Sequence, residues 1–136
     1  MSRIALAMSP LLYRLGDWKA GARAIEEAGL SPDGLAVLGE DKGAQLVAEK
    51  LGIPARAFPV DWNDGTYAGM MRNIDLLHHA TALVVVWLED TPSIRHLIEQ
   101  AHRRGIPVWI TNYYTGLKDS IAPKAGAQCA DLFANV

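Results

Sequence analysis

The chain has 136 residues, of which 50% are hydrophobic and 21% are charged. This length corresponds to one domain, and this balance is typical of a globular protein, which excludes a disordered tail, a collagen and a coiled coil. The formal net charge of -2 indicates no basic surface for nucleic acid, and the longest apolar run, at residues 82–88, is far shorter than the ~20 residues of a membrane-spanning helix.

The first half of the chain alternates short apolar runs with amphipathic stretches. Three strands and two helices are predicted in it, at residues 4–8, 16–29, 35–38, 41–51 and 56–58. Gly29 and Gly52 are expected to end the two helices, because glycine readily adopts the left-handed backbone of a helix C-terminus. Pro54 and Pro59 bracket the third strand, which places it at or near a sheet edge.

The second half continues the alternation. A helix is predicted whose core face is formed by Tyr67, Met70, Met71, Ile74 and Leu77. The apolar run at residues 82–88 predicts a strand buried on both faces, and a further helix precedes a fifth strand at residues 107–110. We therefore predict an α/β protein: a single Rossmann-like three-layer domain over residues 1–136, with a mostly parallel five-stranded sheet and helices on both faces. Residues 113–136 are less regular and are expected to form a loop and a short terminal helix.

The topology predicts where a site would lie, because ligands of open α/β sheets bind at the carboxyl ends of the strands. The residues that follow the predicted strands are Ser9, Gly39, Glu40, Lys42, Gly43, Asp61, Trp62, Glu89, Asp90 and Thr91, with residues 111–113 after the fifth strand. Acidic side chains outnumber basic ones among these residues at the carboxyl ends of the strands, which disfavours a bound phosphate. Three explanations remain open: the carboxylates point away from the ligand site, they bind ribose hydroxyls or a divalent cation, or the chain has lost the ligand site.

The turn at residues 39–43 joins a strand to a helix and carries two glycines four residues apart. Such a turn can present backbone N–H groups to an anion at a helix N-terminus. It is also typical of a tight connection with Asp41 as the N-cap. No complete GxGxxG or GxxxxGK[ST] motif is present, which removes the main support for an ordinary dinucleotide oxidoreductase or an ATPase.

Two further positions allow both a structural and a functional interpretation. Thr91 or Asp90 is a natural N-cap, with Pro92 at the first helical position. Arg72 is predicted to lie opposite the apolar face of its helix. It can reach a phosphate bidentately there, or pair with Asp75 at i+3 in solvent.

Covalent catalysis and metal binding have no clear sequence signal. The four histidines, His78, His79, His96 and His102, do not form a ligand set at helical spacing, and no GxSxG motif supplies a nucleophile. The single cysteine, Cys129, permits no internal disulfide and no cysteine-based zinc site, and no cleavage site of a signal peptide follows the N-terminus. We therefore expect a cytoplasmic protein with no catalytic nucleophile and no bound metal.

Five segments of the chain carry a family resemblance. They have the sequences LAVLGEDKGAQLVAEKLGIPARAFP, VDWN, GMMRN, ALVVVWLEDT and AHRRGIPVWI, and they lie in this order within residues 35–110. Together they resemble the SLOG superfamily, and within it the small YspA-type and YpsA-related proteins. The superfamily also includes the LOG phosphoribohydrolases and the DprA/Smf group. The resemblance implies a Rossmann-like domain that binds a nucleotide or a nucleotide-derived small molecule.

The chain departs from the family pattern at its glycine-rich turns. Residues 8–11 replace a Gly-Gly-Arg-Asp turn, Glu40 replaces a glycine, and only Thr91 remains of a Gly-Gly-x-Gly-Thr loop. The positions of the catalytic glutamate of LOG enzymes are occupied by Ser93 and Ile94. The resemblance therefore implies binding without catalysis, with Thr91 capping the last helix toward the ligand.

The resemblance also implies roles for the remaining candidate residues. The amides of residues 39–43 would bind a phosphate, with Lys42 and Arg72 as counter-charges. Asp61 and Asn73 would contact the ribose or the base. No cofactor is required, although Mg²⁺ can accompany a nucleotide. Because SLOG relatives commonly self-associate, a homo-oligomer is expected, with no nucleic-acid or membrane partner.

Two alternatives remain open. An N-glycosidic hydrolase of the LOG type would need a general acid, which Glu40, Glu89 or Asp90 would have to supply. An oligomeric interaction protein with a degenerate site would use the helix face at residues 67–71 as its interface.

Overall fold

The computed structural model describes residues 3–89, 91–116 and 118–121, with backbone only for Asp64 and for residues 118–121. Asp90, Cys129 and the rest of residues 122–136 lie outside the described part. No helix in the described part is long and apolar enough to cross a membrane.

The described strands form one sheet in the order β3-β2-β1-β4-β5-β6. Their bounds are β1 (Arg3–Met8), β2 (Gly34–Leu38), β3 (Ala55–Phe58), β4 (Leu83–Trp87), β5 (Val108–Asn112) and β6 (Lys118–Ile121). The five predicted strands are confirmed and all run parallel, with β3 at one edge as predicted. β6 pairs antiparallel with β5, so the prediction of a loop and a helix after residue 113 is wrong for residues 118–121.

Helices connect the strands and cover both faces of the sheet. They are α1 (Pro10–Arg14), α2 (Trp18–Glu27), α3 (Lys42–Leu51), α4 (Ala68–His78) and α5 (Pro92–Arg103), with a short 3₁₀ helix at Trp62–Asp64. The sequence did not predict α1 or the 3₁₀ helix, because segments of three to five residues are too short to show a helical period.

The side chains of each strand alternate between two apolar cores. Ile4 and Leu6 of β1 belong to the core that contains residues of α2 and α3, whereas Ala5 and Ala7 belong to the core that contains residues of α5 and the buried leucines of α4. This division makes the fold doubly wound and Rossmann-like, with the strand order reversing between β1 and β4. The carboxyl ends of the strands are therefore the edge at which a ligand site is sought.

Helix α4 buries a different face from the predicted one. Met70 and Met71 are 46% and 51% exposed, and Tyr67 is 67% exposed. Arg72 and Asn73 are buried instead, together with Ala68, Leu76 and Leu77. The prediction of a core stripe at Tyr67, Met70 and Met71 is therefore wrong, because this helix carries apolar residues on two faces and period alone does not distinguish them.

Candidate functional site

Ser9 and Glu89 join the ends of β1 and β4, where the strand order reverses. The buried Ser9 hydroxyl accepts hydrogen bonds from the amides of Leu88 (2.9 Å) and Glu89 (3.3 Å) and donates to the Glu89 carbonyl (3.2 Å). The Glu89 carboxylate accepts the amide of Leu11 at 2.8 Å, at the start of α1. The loop after β4 is thereby bonded across the crevice in which Rossmann-like proteins commonly bind ligands.

Asp41 begins α3, and its interpretation as the N-cap is confirmed. One carboxylate oxygen accepts the amide of Ala44 at 2.9 Å and the other accepts the amide of Met8 at 2.8 Å. Burial raises the pKa of Asp41 from 3.8 to about 6, although these two amides act in the opposite direction. This carboxylate thus connects the end of β1 to the start of α3.

The two glycines of the turn at residues 39–43 differ in their surroundings. A Cβ on Gly39 would lie 2.6 Å from Cα of Pro59, so only glycine fits against the end of β3. A Cβ on Gly43 would make ordinary contacts at 3.6 Å. Within the turn, the amide of Asp41 donates to the Leu38 carbonyl and that of Lys42 to the Glu40 carbonyl. Gly39 is therefore explained by strand packing rather than by an anion.

Arg72 uses all five of its N–H groups within the protein. Its terminal nitrogens bind the two carboxylate oxygens of Glu40 at 2.6 and 2.9 Å. They also donate to the Phe58 carbonyl at 3.0 Å and to the Ser93 hydroxyl at 3.3 Å. Nε donates to the Asn73 side chain at 2.8 Å. Of the two interpretations left open for Arg72, the pairing with Asp75 in solvent is replaced by this buried network.

Arg72 also determines the charge state of Glu40 at the mouth of the site. Burial by itself would raise the pKa of Glu40, but the hydrogen bonds and positive charge of Arg72 outweigh it and hold the pKa below its usual value. The Glu40 side chain remains 55% exposed. Glu40 is therefore a carboxylate held in one orientation beside solvent.

Asn73 extends the network into α5. Its amide nitrogen donates to the Ser93 carbonyl at 3.0 Å and lies 3.1 Å from Nδ1 of His96. Burial lowers the pKa of His96, which favours the neutral ring, and the Asn73 amide makes Nδ1 the acceptor of this contact. Among the described residues, the buried Nε2 of His96 has no hydrogen-bond partner.

A cavity of about 410 Å³ opens between β3 and α4, at the carboxyl side of the sheet. Two of the predicted site residues, Asp61 and Arg72, line it. Its other lining residues are Arg56, Ala57, Phe58, Pro59, Ala68, Met71 and Asp75. Asp61 also accepts the amide of Asn63 at 3.0 Å, which caps the 3₁₀ helix. The neighbouring Trp62 is 76% exposed.

Sequence reasoning missed Arg56 as a site residue. Its guanidinium lies 4.7 Å from the centre of the Phe58 ring, and both residues line the cavity. The signal was present in the sequence, because residues two apart in a strand share one face. An arginine and an aromatic residue at this spacing in an edge strand predict a stacked pair beside solvent.

The remaining candidates lie away from the cavity. Thr91 occupies the N-cap position of α5, with Pro92 at its first position as predicted, but its hydroxyl donates to the Glu89 carbonyl at 3.4 Å and caps no amide. Lys42 is exposed and its Nζ lies 5.9 Å from the centre of the Tyr13 ring. Asp90 lies outside the described part of the chain. Asp61 and Arg72 therefore line the cavity, Ser9 and Glu89 lie at the β1–β4 junction, and the predicted residues of the turn at 39–43 lie between β2 and α3.

A second cavity, of about 280 Å³, lies at the amino side of β2 and β3, beside Arg3, Gly34 and Pro54. Ligands of open α/β sheets bind at the carboxyl ends of the strands, which is the opposite side of the sheet from this cavity. Within the described residues, no group of three or more histidine, cysteine, aspartate or glutamate side chains is arranged to hold a metal ion. The cavity between β3 and α4 is the better candidate site.

No family model matches the chain, and no curated protein sequence matches it significantly.

Proposed function

We propose that the protein is a binding module for a nucleotide or a nucleotide-derived small molecule, held without catalysis in the cavity between β3 and α4. The cavity itself carries the proposal. Its volume of about 410 Å³ falls within the ~300–1,000 Å³ of small-molecule sites, and apolar and charged groups converge on it. The resemblance of the sequence to the SLOG superfamily supports the same ligand class.

The charges at the mouth favour contacts with the nucleoside part of such a ligand. The carboxylates of Asp41 and Glu89 already accept hydrogen bonds from backbone amides at the starts of α3 and α1. These amides are therefore not available to a phosphate. The carboxylates of Asp61 and Asp75 line the cavity, and carboxylates accept hydrogen bonds from ribose hydroxyls. A phosphate would extend toward solvent, where Mg²⁺ can accompany it.

The hydrolase alternative receives less support from the charge states of the acidic residues. A general acid must carry a proton, whereas Arg72 holds the pKa of Glu40 below its usual value. Glu89 accepts the backbone amide of Leu11 at 2.8 Å, so its carboxylate is already engaged within the fold. Unchanged ligand with no free base after incubation with the protein is the result expected for a binding module.

The exposed side chains of Trp62, Tyr67, Met70 and Met71 favour a second candidate, an interaction protein that associates with itself through α4. Several large apolar residues grouped on one surface commonly mark a partner site. This surface adjoins the cavity, because Met71 also lines it.

Thermal denaturation with nucleoside monophosphates, cyclic nucleotides and ADP-ribose, each with and without Mg²⁺, tests the binding function. A ligand at 100 times its Kd adds about 2.7 kcal/mol to the free energy of unfolding, a shift of several degrees. Asp61→Asn should reduce the shift and leave the cap of the 3₁₀ helix in place.

Asp17→Asn is the matched control, because Asp17 also caps a helix and lies outside the cavity lining. It should leave the shift unchanged. No shift with any compound would overturn the proposal and favour the interaction protein.

A further inference from the structure

β3 presents a free backbone edge to the cavity. The carbonyls of Pro54 and Phe58 accept the amides of Leu35 and Gly39 at 2.9 and 3.0 Å, so residues 54, 56 and 58 turn their backbone groups toward β2. Backbone groups alternate in a strand, and those of Ala55 and Ala57 therefore point away from the sheet. β3 is the last strand on this side, so no described strand pairs with them.

Ala57 contributes its backbone to the cavity rather than its side chain. Ala57 is one of the lining residues, as are Arg56 and Phe58. Alternation along the strand puts the methyl group of Ala57 on the opposite face from the side chains of Arg56 and Phe58. The part of Ala57 that borders the cavity is thus its N–H and C=O, an adjacent donor and acceptor.

Arg56 forms a flat surface beside these groups. Its guanidinium lies 4.7 Å from the centre of the Phe58 ring, which is 4% exposed, whereas Arg56 itself is exposed. The guanidinium lies over the ring, and Arg56 remains open to solvent, so its plane is accessible to a ligand. Guanidinium planes are frequent stacking partners of nucleobases.

The edge is too short to add a further protein strand. β3 has four residues, and Pro54 and Pro59 flank it. Only Ala55 and Ala57 offer outward groups, and Ala55 borders the other cavity instead. One donor–acceptor pair beside a flat cation fits a small planar molecule better than an extended peptide.

We infer that Ala57 recognises the base of the ligand. Its N–H and C=O hydrogen-bond the polar edge of a nucleobase, and the base stacks on the outer face of Arg56. This inference rests on the proposed binding function and makes it more specific, since it requires a base with an adjacent donor and acceptor. Ribose 5-phosphate, which lacks a base, should then bind more weakly than a nucleotide.

Proline substitutions test the backbone contact. Ala57→Pro removes the outward N–H and leaves the bonds to β2 intact, because an edge strand tolerates proline where its N–H faces solvent. We expect adenosine, guanosine, cytidine or uridine 5′-monophosphate, whichever binds the wild-type chain best, to bind this variant about tenfold more weakly by calorimetry. Ala55→Pro is the matched control and should bind as the wild type does.

Two further measurements test whether the base of the ligand is recognised, and neither depends on the Ala57→Pro variant. Ribose 5-phosphate should bind the wild-type chain at least about tenfold more weakly than the best nucleotide. Arg56→Lys keeps the charge but removes the plane, so it should also weaken nucleotide binding. Circular dichroism and the melting temperature check that each variant is folded.

The outcomes separate this inference from the proposed function. If a nucleotide binds but ribose 5-phosphate binds equally well, or folded Ala57→Pro binds like the wild type, base recognition by Ala57 is wrong while the binding function stands. If no nucleotide binds the wild-type chain, both are wrong.

Discussion

Arg72 and Glu40 form an unequal pair in which one partner is buried and the other is half exposed. Arg72 is 6% exposed and makes five hydrogen bonds: two to the turn after β2, one to the end of β3, one to α5 and one to Asn73 on its own helix. A buried guanidinium is tolerated only when its N–H groups are satisfied. This network therefore holds one wall of the cavity in place.

Removing Arg72 should cost more stability than removing the charge of Glu40. Arg72→Ala removes five hydrogen bonds and leaves the buried side-chain oxygen of Asn73 without its donor, and we expect a loss of about 2–4 kcal/mol. Glu40→Gln keeps an acceptor beside the guanidinium at a half-exposed position, and we expect a loss below about 1 kcal/mol. Urea denaturation of both variants measures the difference. Equal losses would contradict the structural role of Arg72.

Asp41 should make stability depend on pH. Its pKa is about 6 in the folded state against an ordinary value of 3.8, so the folded protein holds this proton more tightly than the unfolded chain does. The contribution of Asp41 to stability therefore rises as the pH falls from 7 through 6 and is complete below 3.8. The gain is about 3 kcal/mol at most.

Asp41→Asn removes the titratable carboxyl group, so a comparison with the wild-type chain isolates the contribution of Asp41 to the pH dependence of stability. The stability advantage of the wild-type chain over the variant should widen between pH 7 and pH 4, as measured by denaturant unfolding at each pH. A constant or shrinking advantage would show that the pKa of Asp41 is not raised.

At the scale of elements, alanine substitutions at the two glycines of the turn between β2 and α3 should change the stability of the protein in opposite directions. Gly39→Ala brings a Cβ within 2.6 Å of the backbone of Pro59 and should destabilise the protein by about 1–3 kcal/mol. Gly43→Ala meets only ordinary contacts inside α3 and should stabilise it by up to about 1 kcal/mol. Thermal denaturation of the two variants makes the comparison. A stabilising Gly39→Ala would mean that β3 does not approach this turn so closely.

At the scale of the whole molecule, the exposed face of α4 predicts self-association. Met70 is 46% exposed and lies beside Tyr67 and Met71, and burying such side chains in a second copy would remove them from water. Light scattering after size exclusion, at two concentrations, should show an oligomer for the wild-type chain.

Met70→Lys should shift that oligomer toward the monomer, because a charge would enter the contact. Leu15→Lys is the control, since Leu15 is 57% exposed but follows α1 rather than lying on α4. A wild-type monomer at both concentrations would refute the prediction of a homo-oligomer.

The elements and the fold class follow largely from local pattern. Apolar runs with a period of two or of 3.6 predict the five parallel strands and α2 to α5, and helical crossovers impose the parallel sheet. Pro54 and Pro59 place β3 at the edge, and Asp41 and Pro92 mark helix starts. Each of these features depends on residues that are close in sequence, so the sequence by itself determined them.

The tertiary structure decided which groups meet at the site. Arg72 pairs with Glu40, 32 residues earlier, rather than with a neighbour on its own helix. Helix α4 is apolar on two faces, and only packing against the sheet selects the face with Arg72 and Asn73 as the buried one. The cavity likewise exists only where the edge of β3 meets α4. Contacts between residues distant in sequence depend on how the helices pack on the sheet, and the hydrophobic period of a single helix or strand does not specify that packing.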